Sequence, residues 1–171
     1  MRRVLLAPNS RARLALLRST LGSALGGRDP ESIRDTNVIV VDTNVICYRW
    51  ISSPNSAAAE TALAKDPDWI APVLWRSEFR NVLALAIRKK ALTIDAAQEI
   101  ARKAEISFER REFAVSSDTV LQLVAASNCT AYDCEFVALA EVYRVPLVTV
   151  DRQVLHEFPK IAVSLEKFIR E

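Results

Sequence analysis

Two short apolar runs, each closed by an acid, constrain this chain more than any other feature. Val38-Ile39-Val40-Val41 runs into Asp42-Thr43-Asn44, and Pro146-Leu147-Val148-Thr149-Val150 runs into Asp151. A β-branched run bounded by polar residues reads as a strand buried on both faces of a parallel sheet. An acid just past such a strand stands where open α/β sheets hold their ligands. The pair therefore points to an α/β fold with a shared acidic site. A weaker echo, Asp35-Thr36-Asn37-Val38-Ile39, follows Glu31-Ser32-Ile33-Arg34, which cannot be a buried strand, so Asp35 reads as a loop residue and Asp42 as the strand-end acid.

The rest of the chain alternates helix and strand signals, as a mostly parallel sheet requires. Helices are expected over Asn44–Trp50, Ala57–Ala64, Leu74–Lys90 and Asp95–Ser107 (capped by Thr93). Others are expected from Ser117 or Asp118 through Ala126, and from a Thr130 cap to Tyr143. Leu74, Val82, Leu85 and Ala86 suggest the apolar face of the third of these. Strands are expected at Trp69–Ala71, Phe113–Val115, Leu147–Val150 and Ile161–Val163, with a closing helical turn over Leu165–Ile169.

Residues 1–36 stand apart. They hold seven arginines, no lysine and three acids, about +4, which leaves about −2 for residues 37–171 of a chain whose net charge is +2. Leu14 to Leu25 has a weak helical pattern and Gly26-Gly27-Arg28-Asp29-Pro30 reads as a breaker. We read 1–36 as an arginine-rich extension, disordered or upstream of the working start, and 37–171 as the functional domain.

Several chemistries are excluded by what is missing. From Arg28 onward there is no glycine, which removes a P-loop and a dinucleotide fingerprint, since both need glycine beside phosphate. A single histidine, His156, gives little basis for a zinc site or a hydrolytic triad. Cys47, Cys129 and Cys134 form no CxxC and are odd in number, which favours free thiols and the cytoplasm. No apolar run reaches the roughly 18 residues needed to span a bilayer, so no membrane is expected.

Four acids stand out: Asp42, Glu78, Asp133 and Asp151. Each has a plain structural reading. Asp42 and Asp151 can cap the helices after their strands. Asp133, three residues after Thr130, can complete a capping box. Glu78 can lie on a solvated helix face. Taken together they sit beside apolar segments and small polar groups, with Asn44, Thr130 and Thr149 near them and Asn81 one helical turn from Glu78. Clustered carboxylates repel one another and are sustained by protons or a cation. Oxygen donors without imidazole or thiolate favour Mg²⁺ or Mn²⁺, ions suited to phosphodiester chemistry.

In this order and setting the acids resemble those of PIN-domain ribonucleases, especially VapC-type toxins of toxin–antitoxin pairs. The matching segments are Val40–Asn44, Glu78-Phe79-Arg80-Asn81-Val82-Leu83, Thr130–Ala140 and Pro146–Arg152, within about residues 38 to 170. The resemblance implies a PIN-like three-layer α/β/α sandwich and a cytoplasmic, Mg²⁺-dependent endoribonuclease. Asp42 and Asp133 would be the more direct metal ligands, completed by Glu78 and Asp151. Asn44, Thr130, Thr149 and Asn81 would orient carboxylates or water. A metal-bound water would cut RNA to leave a 5′-phosphate and a 3′-hydroxyl. It further implies a homodimer held in check by a cognate antitoxin.

RNA needs cations near the acids. Candidates are Arg76 and Arg80 beside Glu78, Arg88-Lys89-Lys90 and Arg152, each of which also reads as an ordinary solvated charge. Trp50, Trp69 and Trp75 are candidates for base stacking or for core packing. Two rival enzymes fit less well. A haloacid-dehalogenase-type phosphatase wants an acid where Asn44 stands, and a response-regulator receiver wants a lysine where Arg152 follows Asp151. A PIN-like module that binds RNA or protein without cutting is the other alternative.

Overall fold

A computed structural model describes residues 38–171. The expected helix over Leu14–Leu25, the Asp35 loop and the extension as a whole lie outside the described residues.

The order of elements follows the polarity pattern. β1 (Val38–Val41) is buried at every position, so both faces of the sheet are covered there. It leads through α1 (Thr43–Trp50) and α2 (Ser56–Lys65) to β2 (Asp68–Pro72). α3 (Trp75–Arg88) and α4 (Ile94–Ser107) carry the chain to the short β3 (Glu112–Phe113). α5 (Ser117–Ala126) and α6 (Ala131–Tyr143) then return it to β4 (Leu147–Thr149). α7 (Arg152–Glu157), β5 (Ala162–Ser164) and α8 (Leu165–Arg170) complete the domain. The five strands are all parallel, in the order β3-β2-β1-β4-β5, and the helices make this an α/β/α sandwich.

That order positions the site. From β1 the chain winds outward to β2 and β3, then crosses back to β4 and β5 on the other side. The reversal falls between β1 and β4, and a crevice opens beyond the carboxyl ends of such neighbours. Register puts Val41 opposite Val148, so the residues that follow β1 and β4 emerge side by side. They are Asp42 and the Thr149–Asp151 segment.

Sequence and structure differ on one helix face and at several element ends. The inward row of α3 is Trp75, Phe79 and Leu83, spaced four apart, while Val82 is 36% exposed and Leu85 45%. The large aromatics decide the face: the Trp75 ring packs on Phe79 and on Phe108 from the end of α4, with centroids 5.6 and 4.7 Å away. β3 covers Glu112–Phe113 rather than Phe113–Val115, because its pairing with Ala71 and Pro72 ends there and Ala114 turns to solvent. β5 begins one residue later than expected, at Ala162, where it meets Leu147.

Without glycine, left-handed backbone positions fall to larger residues: Lys90, Arg110 and Arg144 have φ of 58°, 61° and 57°. Arg144 is the C-cap of α6, a place where glycine is ordinarily favoured. Among the described residues no helix is long and apolar enough to cross a membrane.

Candidate active site

Asp42 is built into the site by the end of β1. It caps α1, its Oδ1 accepting from the Asn44 backbone N–H at 3.4 Å. Its Oδ2 accepts from Asn44 Nδ2 at 2.6 Å and from Thr149 Oγ1 at 2.5 Å. Thr149 is fully buried at the end of β4, and the same hydroxyl accepts from the Asp151 N–H at 2.9 Å. The two central strands are thus joined beyond their last ladder bond by one hydroxyl and one carboxylate. Asn44 Oδ1 is buried without a partner among the described residues, since the amide is turned so that its N–H₂ faces the carboxylate.

Glu78 arrives from the first turn of α3. Thr43 Oγ1, on a residue only 5% exposed, donates to its Oε2 at 2.5 Å. Because Thr43 follows Asp42 directly, one peptide holds both acids. The opening turns of α3 are themselves pinned. Glu112 of β3 accepts from Trp75 Nε1 at 2.5 Å and from Arg76 Nε and Nη2 at 2.6 and 2.7 Å, and Arg76 also reaches Glu105 at 3.4 Å.

Asp133 comes from the start of α6. Its Oδ2 accepts from the Thr130 N–H at 3.0 Å and from Thr130 Oγ1 at 2.7 Å, while the Asp133 N–H donates to Thr130 Oγ1 at 3.2 Å. This is the capping box read from the sequence. Cys129 and Cys134, both buried, occupy the positions flanking the box where an apolar staple fixes a helix entry. Asp151 caps α7, its Oδ1 accepting from the Gln153 and Val154 N–H groups at 2.7 and 3.0 Å.

The structural and chemical readings of the acids therefore coexist. Among the described residues, Asp133 Oδ1, Asp151 Oδ2 and Glu78 Oε1 accept no hydrogen bond. Nor does any of the four acids form an ion pair there, although many acids elsewhere do.

The electrostatics link three acids in series, Asp42 to Glu78 and Glu78 to Asp133. Burial, with the Glu78 charge adding to it, pushes the Asp42 carboxyl up to about 6 against the pull of Thr149 and Asn44. Burial also raises Glu78, helped by the charges of Asp133 and Glu135. Cys47, one turn along α1, is pushed up to about 12 by burial and then by Asp42 and Glu78, so it is a neutral thiol beside the acids. Asp151 joins through its backbone bond to Thr149.

Of the other expected residues, Thr130 donates to Asp133 and Thr149 to Asp42, and Asn81 is exposed on α3. Arg80 and Arg152 are exposed near Glu78 and Asp151 in sequence. Arg76 is committed to Glu112. The cluster Arg88-Lys89-Lys90 lies at the far end of α3, ten residues or about 15 Å of helix from Glu78. Trp69 and Trp75 are core residues, and Trp50 is half-buried under the Arg49 guanidinium.

Sequence reasoning passed over Thr43, Glu112 and Glu135. Thr43 was legible as the residue welded to Asp42, and Glu135 as a second acid two residues after Asp133. Glu112 carried no local signal, because its role depends on β3 meeting α3.

The donor set suits a hard cation in kind: carboxylate oxygens, several of them free, with no imidazole and no ionisable thiolate among them. In spacing it is open. Among the described residues no three Asp, Glu, His or Cys side chains stand close enough to hold a metal ion together.

The protein is a parallel α/β domain with acids at its topological switch point, where open α/β sheets bind their ligands. The PIN-domain family model matches residues 39–162, and the chain belongs to that family. PIN domains are generally metal-dependent nucleases. The fold is similar to that of PAE2754 from Pyrobaculum aerophilum, with a TM-score of 0.63 and 22% identity over 77% of this chain and 86% of that one. It is also similar to that of FitAcB from Neisseria gonorrhoeae, with a TM-score of 0.61 and 18% identity over 75% of this chain and 98% of that one. No curated protein matches the chain.

Proposed function

We propose that the protein is a Mg²⁺-dependent endoribonuclease, with Mn²⁺ able to substitute, and the VapC-like toxin of a toxin–antitoxin pair. One observation carries the reading: the Glu78 charge adds to the cost of charging Asp42, and the Asp133 charge to that of charging Glu78, while no cationic side chain among the described residues pairs with any of the three. A structural role would not require the acids to face each other. A cation taken from solution gives the arrangement a purpose, and family membership supplies the chemistry.

Asp42 and Asp133 would hold the ion, with Glu78 and Asp151 completing the set directly or through water. The bound ion supplies charge neutralisation at the phosphate and a water of lowered pKa. The chain's own part is orientation. Thr149 and Asn44 fix Asp42, Thr43 fixes Glu78, and the capping box fixes Asp133, leaving Asp133 Oδ1 and Glu78 Oε1 without partners among the described residues. Arg152 and Arg80, exposed and next to Asp151 and Glu78 in sequence, would meet RNA phosphates. A homodimer, a cytoplasmic setting and an antitoxin covering the acids complete the proposal. An antitoxin arginine would complement the site's charge.

The test is cleavage of total cellular RNA by the purified chain with Mg²⁺ or Mn²⁺, beside Asp133→Asn and a chelated control. Cleavage should be lost in both controls. Cleavage that persists in chelator would reject the metal-dependent mechanism. No cleavage by the folded chain with either ion would favour the non-cutting module.

A further inference from the structure

Three of the four acids are positioned by bonds to residues close by in the chain. Asp42 and Asp151 cap α1 and α7, and Asp133 closes the capping box of α6. Glu78 has no such device. It lies in the first turn of α3, whose N-cap is Leu74, in helical conformation and with no side-chain cap bond. Leucine offers no acceptor to the open N–H groups of that turn. The turn is held instead by the short strand β3. Phe113 O accepts from the Val73 N–H at 3.1 Å, just before α3 begins. Glu112, its side chain only 14% exposed, accepts from the Trp75 indole at 2.5 Å and from Arg76 Nε and Nη2 at 2.6 and 2.7 Å.

These bonds control rotation of the turn. A fork of two parallel N–H···O bonds fixes the guanidinium and the carboxylate in one plane, and the indole bond fixes a second point on the neighbouring residue. Arg76 and Glu78 are two residues apart, about 200° around the helix axis. Glu112 therefore grips one side of the turn while Thr43 holds Glu78 on the other, at 2.5 Å. The Thr43 bond alone cannot set the backbone, because the flexible stem of a glutamate absorbs a roll of the helix while its carboxylate stays bonded. Nor is net stability a sufficient reason for the clamp, since a buried ion pair is commonly matched or bettered by apolar packing. What the fork adds is geometry.

We propose that Glu112 is a positioning residue for Glu78. It fixes the first turn of α3 so that the Glu78 carboxylate meets Asp42 and Asp133 at one cation, and it acts through α3 rather than by touching the ion. The proposal rests on the metal-dependent reading above.

The experiment is a double-mutant cycle read by Mn²⁺ titration of the metal-free full chain, followed by electron paramagnetic resonance. Glu112→Gln and Arg76→Gln each break the fork, and they change the charge near the site in opposite directions. Both should weaken Mn²⁺ binding about tenfold, the lower end of the cost of losing an orienting partner. In a Glu78→Gln background each should cost less than about twofold more, because the group they position is gone. Urea unfolding in chelator establishes that each variant is folded. Should Glu112→Gln fail to fold, Arg76→Lys keeps the charge, loses the fork and carries the same expected dependence on Glu78. Unchanged affinity in the clamp variants would overturn the proposal. So would tighter binding by Arg76→Gln, which would reduce Glu112 to a distant charge, or a penalty undiminished by Glu78→Gln, which would mark the clamp as general support of the fold. A folded parent that binds no Mn²⁺ would overturn the metal-dependent reading and the proposal with it, and is told apart because it appears before any clamp variant is made.

Discussion

The buried Thr149 hydroxyl donates to Asp42 Oδ2 at 2.5 Å, across the point where strand order reverses between β1 and β4. With Thr43 doing the same for Glu78 at 2.5 Å, two hydroxyls govern two carboxylates that would otherwise repel. Each threonine is more buried than the acid it serves. The acids are thus oriented from beneath, with their remaining oxygens left to the pocket.

Removing such a hydroxyl should therefore damage function more than folding. Thr149→Val keeps the shape but leaves the Asp42 oxygen and the Asp151 N–H short of a partner, a loss of roughly 1–3 kcal/mol in stability. Metal affinity or activity should fall about 10- to 100-fold, the usual cost of losing an orienting partner. Thr149→Ser should recover most of both. Urea unfolding beside Mn²⁺ titration separates the effects, and Thr149→Val with unaltered Mn²⁺ affinity would refute the orienting role.

Asp42 gives the metal-free protein a pH dependence whose sign is fixed. Its carboxyl rises from 3.8 to about 6 on folding, chiefly through burial, so the native state holds the proton more tightly than the unfolded chain. The stabilisation is complete below about pH 4 and is lost as pH climbs through about 6. The loss is on the order of 2–3 kcal/mol, trimmed for the partial exposure of the group. Glu78 shifts in the same direction. Asp42→Asn, which keeps a good helix cap, should then be more stable than the parent at pH 7.5 in chelator and about equal to it at pH 4. A parent that gains stability between pH 4 and 7, measured against this variant, would contradict the electrostatic picture.

The cations near the site should sort into two kinds. Arg76→Ala breaks a clamp with Glu112 that also holds the Trp75 indole, and should lower thermal stability with no selective loss of RNA binding. Arg152→Ala and Arg80→Ala should leave stability within about 0.5 kcal/mol and weaken RNA binding. Each should reduce the salt slope by about one unit. The reverse pattern, with Arg76 setting the salt slope, would relocate the RNA path.

Much of this is legible in the sequence, and the reasons are physical. β1 and β4 announce themselves because strands buried on both faces must be apolar throughout. The Thr130–Asp133 box is local chemistry within one turn, so the sequence displays it whole. The inward face of α3 was misread because Val82 and Leu85 fit a helical period as well as Phe79 and Leu83 do. Only contact with Phe108, distant in the chain, chooses between them. Glu112 carries no local signal for the same reason, since its partners Arg76 and Trp75 are 36 and 37 residues away in sequence, whereas Thr43 stands beside Asp42 and only its partner Glu78, 35 residues away, is hidden.

Direct cation binding tests the central claim most simply. Mn²⁺ titrated into the metal-free full chain at pH 7.5 and followed by electron paramagnetic resonance should show saturable binding, weakened at least about tenfold by Asp42→Asn and by Asp133→Asn. The same titration should raise the parent's melting temperature and leave that of Asp42→Asn nearly still. A folded parent that takes up no Mn²⁺, or one whose affinity is indifferent to both substitutions, would mean that the four acids serve only as helix caps and surface charge.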